Sequence, residues 1–302
     1  MQFPPFLKPG DKIGIVAPAG KIEPSVIDET ERFISNAGYV PLFGENILKR
    51  NNLFAGSDEE RLSDFNKMIH NDAIKAIWCA RGGYGSMRII DKIDFEHLVK
   101  RPKWIIGFSD ITVFHSYISS NTDLVTIHGE MPNSFPNNIG ANKVVNILQG
   151  NMAVAPILPH ILNKKGVAKG KLIGGNLTII HNLIGTNLDF SSEGKILFIE
   201  EIGEYDYHLD RMIQSMKLAG KFDKLAGLIV GQISDTKDGA TPYGMSAYEI
   251  VNNALKEYDF PIIYNFPSGH SNPNYPLLLN SEIEIEVEKN RVIFKYKNLN
   301  NG

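Results

Sequence analysis

Ser109 and Asp110 stand side by side in WIIGFSDITVFHSYI (104–118), where an apolar run meets Gly107 and then what reads as a helix. A serine or aspartate ahead of an apolar helix is ordinarily its N-cap, because the side-chain oxygen accepts an orphan backbone N–H. Two such residues are one more than a cap needs. If Asp110 caps, Ser109 occupies the tight turn after a strand, beside helix N–H groups that favour an anion. That is the logic of a nucleophile elbow without its G-x-S-x-G pattern. The residues alone leave cap and nucleophile both open.

A serine nucleophile needs a base, and the base needs an orienting acid. Of the eight histidines, His97, His115 and His181 fall within helical patterns that suit packing or a solvated face. His70 and His160 border loops, and His208 lies beside a helix start. His270 stands apart in NFPSGHSNPNYP, a loop of turn-forming residues directly after a strand, with Gly269 allowing close approach. For the acid, LFIEEIGEYDYHLDR offers Glu200 and Glu201 at the end of an apolar strand. Successive strand residues face opposite sides, so one of the pair at most enters a given site.

CARGGYGSMRI sets Gly82, Gly83 and Gly85 between a strand and a helix. It matches neither a P-loop nor G-x-G-x-x-G, so its backbone N–H groups suit a tight turn or an oxyanion better than a nucleotide. IHGEM (His128, Gly129, Glu130) has no second cluster at ligand spacing, and no metal is expected. The single cysteine, Cys79, excludes an intrachain disulfide and reads as a buried structural thiol in a strand.

These residues need elements to hold them. The 302 residues are 43% hydrophobic and 22% charged, an ordinary globular composition. A net charge of −3 from 31 basic and 34 acidic side chains gives no footprint for nucleic acid or an anionic membrane. The start lacks the basic and apolar regions of a signal peptide and no apolar run reaches a membrane span, so a cytoplasmic location is the expectation. In the first half, strand signals at 12–17, 73–79, 103–107 and 124–129 alternate with helices, one of them opened by the capping box Ser57/Glu60. That alternation predicts an α/β fold with a mostly parallel, Rossmann- or flavodoxin-like sheet whose strand carboxyl ends carry the ligand site. The pattern breaks between 151 and 168, which predicts an N-terminal domain over 1–160 and a more strand-rich α/β domain over 161–302. In the latter a helix follows Gly174 and Gly175, Leu209, Met212, Ile213 and Met216 mark another, Ser246 and Glu249 box a third, and a period-two hairpin closes the chain. The Asn-rich residues 298–302 read as a frayed end.

Eight segments in order, IGIVAPAG, ARGGYGSMRI, IGFSDITVFH, IHGEM, LIGGNL, LFIEEIGEYDYHLDRM, GLIVGQ and FPSGHSNPNYPL, resemble the LD-carboxypeptidase family of serine peptidases, which includes microcin C immunity peptidases. The resemblance runs nearly end to end. It implies a triad of Ser109 as nucleophile, His270 as base and Glu200, chosen over Glu201 by the family pattern, as orienting acid. An oxyanion hole would come from the backbone N–H of Asp110 and of the Gly82–Gly83 turn. It further implies substrate contacts at Arg81, Tyr84, His128 and Gly129, with Arg88 a second candidate cation, no cofactor, and a homodimer. The substrate it implies is a cytoplasmic murein tetrapeptide that loses its terminal D-alanine during cell-wall recycling. Glu130 departs from the pattern, where a less polar residue is expected. Trp78 and Trp104 are the only tryptophans, so the segment from 174 to 200 has none where the resemblance implies that microcin-immunity members carry an aromatic loop for stacking adenine; this favours muropeptides over peptidyl- or aminoacyl-nucleotides. A non-catalytic muropeptide-binding module is the remaining alternative.

Overall fold

The computed structural model describes residues 1–135, 139–152 and 154–297; the Asn-rich end lies outside them. In the first half the order is β1 (Lys12–Val16), α1 (Pro24–Asn36), β2 (Val40–Phe43), α2 (Asp58–His70), β3 (Ile74–Cys79), α3 (Phe95–Lys100), β4 (Trp104–Gly107), α4 (Thr112–Asn121), β5 (Thr126–His128) and α5 (Ile139–Leu148). The five strands run parallel in the order β5-β4-β3-β1-β2. Their near-continuous apolar sequences follow from burial on both faces. On one face Ile13, Ile15, Trp78 and Ile106 pack against Val26 and Ile34 of α1 and Val144 and Leu148 of α5. On the other, Ile77 and Ile105 meet Phe65 and Ile69 of α2, Leu98 of α3 and Phe114 of α4. The capping box that opens α2 is formed in both directions by Ser57 and Glu60.

The second half continues with β6 (Gly166–Asn176), α6 (Leu177–Leu183), β7 (Ile196–Ile202), α7 (Asp206–Leu218), β8 (Gly227–Ser234), α8 (Ala247–Ala254), β9 (Ile262–Ile263), β10 (Leu277–Leu279), β11 (Glu282–Val287) and β12 (Val292–Tyr296). Parallel β6-β7-β8-β9 is extended by the antiparallel hairpin β11-β12. Helices α6, α7 and α8 cover one face through Leu177, Leu209, Ile213 and Ile250. The opposite face packs Phe198 and Ile229 against Ile285 and against Leu277 and Leu279 of β10.

β10 belongs to the first sheet, where it pairs antiparallel with β5. The second half of the chain thus supplies an edge strand to the first. Just beyond β10, Asn280 donates to the carbonyls of Thr122 (3.0 Å) and Leu124 (3.1 Å). Across the same junction the hydroxyl of Thr112 at the start of α4 accepts from Asn176 N–H at 3.0 Å. These contacts fix the carboxyl ends of β4 and β7 relative to each other.

Candidate active site

Ser109 follows β4 directly and has left-handed backbone, φ +61°. That conformation costs a non-glycine residue about 1–2 kcal/mol, and strain of this kind concentrates at functional sites. Neither Ser109 nor Asp110 caps a helix. Residues Ser109–Ile111 form a 3₁₀ turn running into α4, with no side-chain cap at either junction. The bland alternative for the serine is therefore absent. Ser109→Gly should raise folding stability by ~1 kcal/mol, read as a higher Tm, because glycine adopts this φ without a Cβ clash; an unchanged or lower Tm would remove the strain argument.

Asp110 points away from the cleft and holds the neighbouring turn. It is buried, and its Oδ2 accepts from Ser86 N–H at 2.8 Å. Burial pushes its pKa up, against the opposing pull of that N–H. The fully buried Arg61 grips the same turn from the other end, donating to the Gly85 carbonyl at 2.9 Å, to the Pro18 carbonyl and to Asp58. The glycine turn itself is anchored by Gly20 N–H on the Gly82 carbonyl at 2.9 Å. A Cβ on Gly82 would lie 3.0 Å from Ser109 Cβ, 3.1 Å from its Oγ and 3.3 Å from Asp110 N. Only glycine lets the turn come this close. The N–H groups of Gly82, Gly83 and Asp110 donate to no carbonyl of the described residues.

Behind the serine, buried His115 bridges Gly107 O (Nε2, 2.9 Å) and Thr126 Oγ1 (Nδ1, 2.8 Å). A carbonyl can only accept, so Nε2 carries the proton. Burial lowers the pKa of His115 to about 4, and it stays a neutral clamp on the backbone before the Ser109 turn.

From the other half come a carboxylate and an imidazole. His270 Nδ1 lies 2.7 Å from Glu200 Oε2. Glu200, at the end of β7, has no solvent exposure. Glu201 faces the opposite side, accepting from Asn176 Nδ2 (3.1 Å) and Thr178 N–H (2.7 Å) at the start of α6. The strand alternation thus assigns one acid to His270 and one to a helix end. Gly269 lets the histidine loop approach, since a Cβ there would lie 3.2 Å from Glu200 Cβ and 3.1 Å from Gln232 O. The imidazole packs on the ring of Phe108, centroids 4.8 Å apart. Burial lowers the His270 pKa, but the Glu200 hydrogen bond and charge outweigh it and the net shift is upward from 6.5.

Ser109 and His270 line one cleft of about 500 Å³ with Arg81, Gly82, Gly83 and Glu130. No hydrogen bond joins Ser109 to His270, as is common before substrate tightens such a site. A nucleophile candidate at a strained turn, an imidazole fixed by a buried carboxylate and unclaimed N–H groups beside the serine can together carry acyl transfer.

Two family models cover most of the chain: "LD-carboxypeptidase N-terminal domain" matches residues 13–129 and "LD-carboxypeptidase C-terminal domain" residues 169–285. A "probable murein peptide carboxypeptidase" of Bacillus subtilis is 31% identical over 301 residues, covering 96% of this chain and 93% of that protein. The chain belongs to the LD-carboxypeptidase family. The family is one of hydrolases, and its member in Pseudomonas aeruginosa named murein tetrapeptide carboxypeptidase is 28% identical, covering 87% and 89% of the two chains. The fold is shared with the muramoyltetrapeptide carboxypeptidase of Oxalobacter formigenes (TM-score 0.85, 24% identity, 94% and 98% coverage). It is equally shared with the microcin C7 self immunity protein MccF (TM-score 0.85, 22% identity, 98% of each chain).

In this member of the family, three expected substrate contacts lie away from the cleft wall. His128 is fully buried beneath Phe108 and Phe198, both ring nitrogens without a described partner. A Cβ on Gly129 would meet Val144 and Pro276, at 3.0 and 3.1 Å. Tyr84 is exposed and leans on Phe54 instead. Arg88 pairs with Asp58, while Arg81 does line the cleft and donates to Lys21 O at 2.7 Å. Sequence reasoning missed Asn133, Ser134, Ser271 and Asn272 on the cleft wall; nothing in their local spacing marks them. Among the described residues His70, Asp94 and His97 bring possible ligand atoms within 4.8 Å of one another, and none of the three lines the cleft. Cys79 is buried and its pKa is pushed up by burial. No described helix is long and apolar enough to cross a membrane.

Proposed function

We propose that this chain is a serine LD-carboxypeptidase that releases D-alanine from a murein tetrapeptide, with Ser109, His270 and Glu200 as its triad. The observation that carries the reading is the strained Ser109 facing one cleft with a His270–Glu200 pair contributed by the other half of the chain. Ser109 Oγ attacks the scissile carbonyl carbon while His270 Nε2 takes its proton. Glu200 Oε2 accepts from Nδ1–H and holds the tautomer that this transfer requires. The oxyanion meets N–H groups of Asp110 and the Gly82–Gly83 turn, which act where charge develops. His270 then returns the proton to the D-alanine amine, and a water deprotonated by the same imidazole frees the peptide from Ser109. Arg81 suits the carboxylate of the leaving residue. Cytoplasmic residence and a homodimer go with this reading, and light scattering of the purified protein tests the second.

The base works only when neutral, and its pKa stands above 6.5. The acid limb of kcat/KM, which reports the free enzyme, should therefore lie above that value. The same shift sets a stability dependence of matching sign. A raised histidine stabilises fully below its unfolded pKa, and that contribution is lost as pH rises through the folded pKa. An acid limb below 6.5 would contradict the pairing. The function itself is tested by chromatographic detection of D-alanine from the free tetrapeptide, compared with the isomer ending in L-alanine and with aspartyl sulfamoyl adenosine. Release confined to the D-isomer is expected; turnover of the nucleotide alone would overturn the proposal.

A further inference from the structure

Glu130 is the one carboxylate among the described residues of the cleft wall, and it is 4% exposed. Its Oε1 accepts from Ser134 Oγ and from Met131 N–H at 3.3 Å, and no described lysine or arginine forms an ion pair with it. The platform beneath is rigid: Trp78 Nε1 donates to the Glu130 carbonyl at 2.7 Å, and Asn133 N–H to the Ala80 carbonyl at 3.0 Å. A carboxylate withdrawn from water without a cation is costly, and the cost is recovered when a ligand brings one. Tuning His270 is not enough to account for it. Of the three carboxylates whose charge acts on that imidazole, Glu200, Glu201 and Glu130, it contributes least.

We propose that Glu130 is a cation subsite, whose carboxylate receives the side-chain ammonium of the residue on the acyl side of the scissile bond and so selects peptides with a diamino acid there. This rests on the carboxypeptidase reading, in which the leaving D-alanine has no side-chain charge and the ammonium belongs to its neighbour. The cleft then presents Arg81 to an anion and Glu130 to a cation, a pattern suited to a zwitterionic peptide end.

The test uses peptides ending in L-lysyl-D-alanine and L-norleucyl-D-alanine, which differ by an ammonium against a methyl group. Native protein should prefer the lysyl peptide by about 30-fold in kcat/KM, the size of one charge-assisted hydrogen bond. Glu130→Gln, which keeps an oxygen for Ser134, should bring the preference within about threefold, and Glu130→Asp should keep part of it. Calorimetry on Ser109→Ala, with and without Glu130→Gln, reads the same preference as binding without turnover. If native protein cleaves neither peptide while Ser109→Ala still binds the lysyl one selectively, the carboxypeptidase reading fails and the subsite stands. Equal binding of the two peptides, no binding of either, or a preference that survives Glu130→Gln in folded protein would overturn the subsite.

Discussion

Ser109→Ala should lose at least ~10³-fold, and up to ~10⁶-fold, in kcat for D-alanine release, with an unchanged Tm. Both halves of that result follow from the geometry. Ser109 Oγ forms no hydrogen bond to a described residue, so its removal leaves no buried partner unsatisfied. The left-handed φ of +61° remains in the alanine variant, so the backbone strain is the same before and after. The turn, its Asp110–Ser86 contact and the His270–Glu200 pair all persist. What disappears is the oxygen proposed to attack. Residual activity would come from the N–H groups and the bound geometry, as in other triads that lose one member. A loss smaller than about tenfold in folded protein would mean that another group attacks the carbonyl.

Gly82→Ala is the second large effect, roughly 10²–10³-fold in kcat, the scale of losing one oxyanion donor. The added methyl would sit 3.0 Å from Ser109 Cβ and 3.3 Å from Asp110 N, crowding the proposed oxyanion position. Gly82 does not have positive φ, so alanine fits its backbone and the fold should survive. Gly83 makes the control. Its φ of +97° strains any other residue, whereas a Cβ there meets nothing nearer than Gly20 Cα at 3.6 Å. Gly83→Ala should therefore cost ~1 kcal/mol of stability while reducing kcat less than Gly82→Ala does. Kinetics and thermal melts on the pair separate space from strain; equal activity losses would argue against an oxyanion role for the turn.

The parallel sheet of the first half is legible in the sequence because its buried strands are mostly apolar and α2 opens with a capping box. Both capping boxes form as expected. β2 escapes notice because Pro41 breaks its pattern, and it is tolerated there because β2 is an edge strand. β6 escapes because glycines and lysines interrupt its apolar pattern. A Cβ on Gly174 would stand 1.9 Å from Phe198 O, so β7 passes too close for any side chain. The transfer of β10 to the first sheet is a long-range pairing that no local pattern encodes. At the site, strand alternation predicts that one of Glu200 and Glu201 faces away, and hydrogen bonding then sorts them. What local reasoning could not reach was the meaning of Asp110, which resembles a cap in sequence and is a strut for the glycine turn in space. His128 likewise ends a strand that points at the site, yet it is fully buried against Phe108 and Phe198.

The claim at the centre is that Ser109 forms the covalent bond. The most direct measurement is peptide mapping by mass spectrometry after treating the protein with a tetrapeptide analogue that carries an aryl phosphonate in place of the D-alanine amide. A stoichiometric adduct on Ser109, lost in Ser109→Ala and slowed in His270→Ala, is the result expected. An adduct on another residue, or none in protein that still turns over the tetrapeptide, would contradict the account.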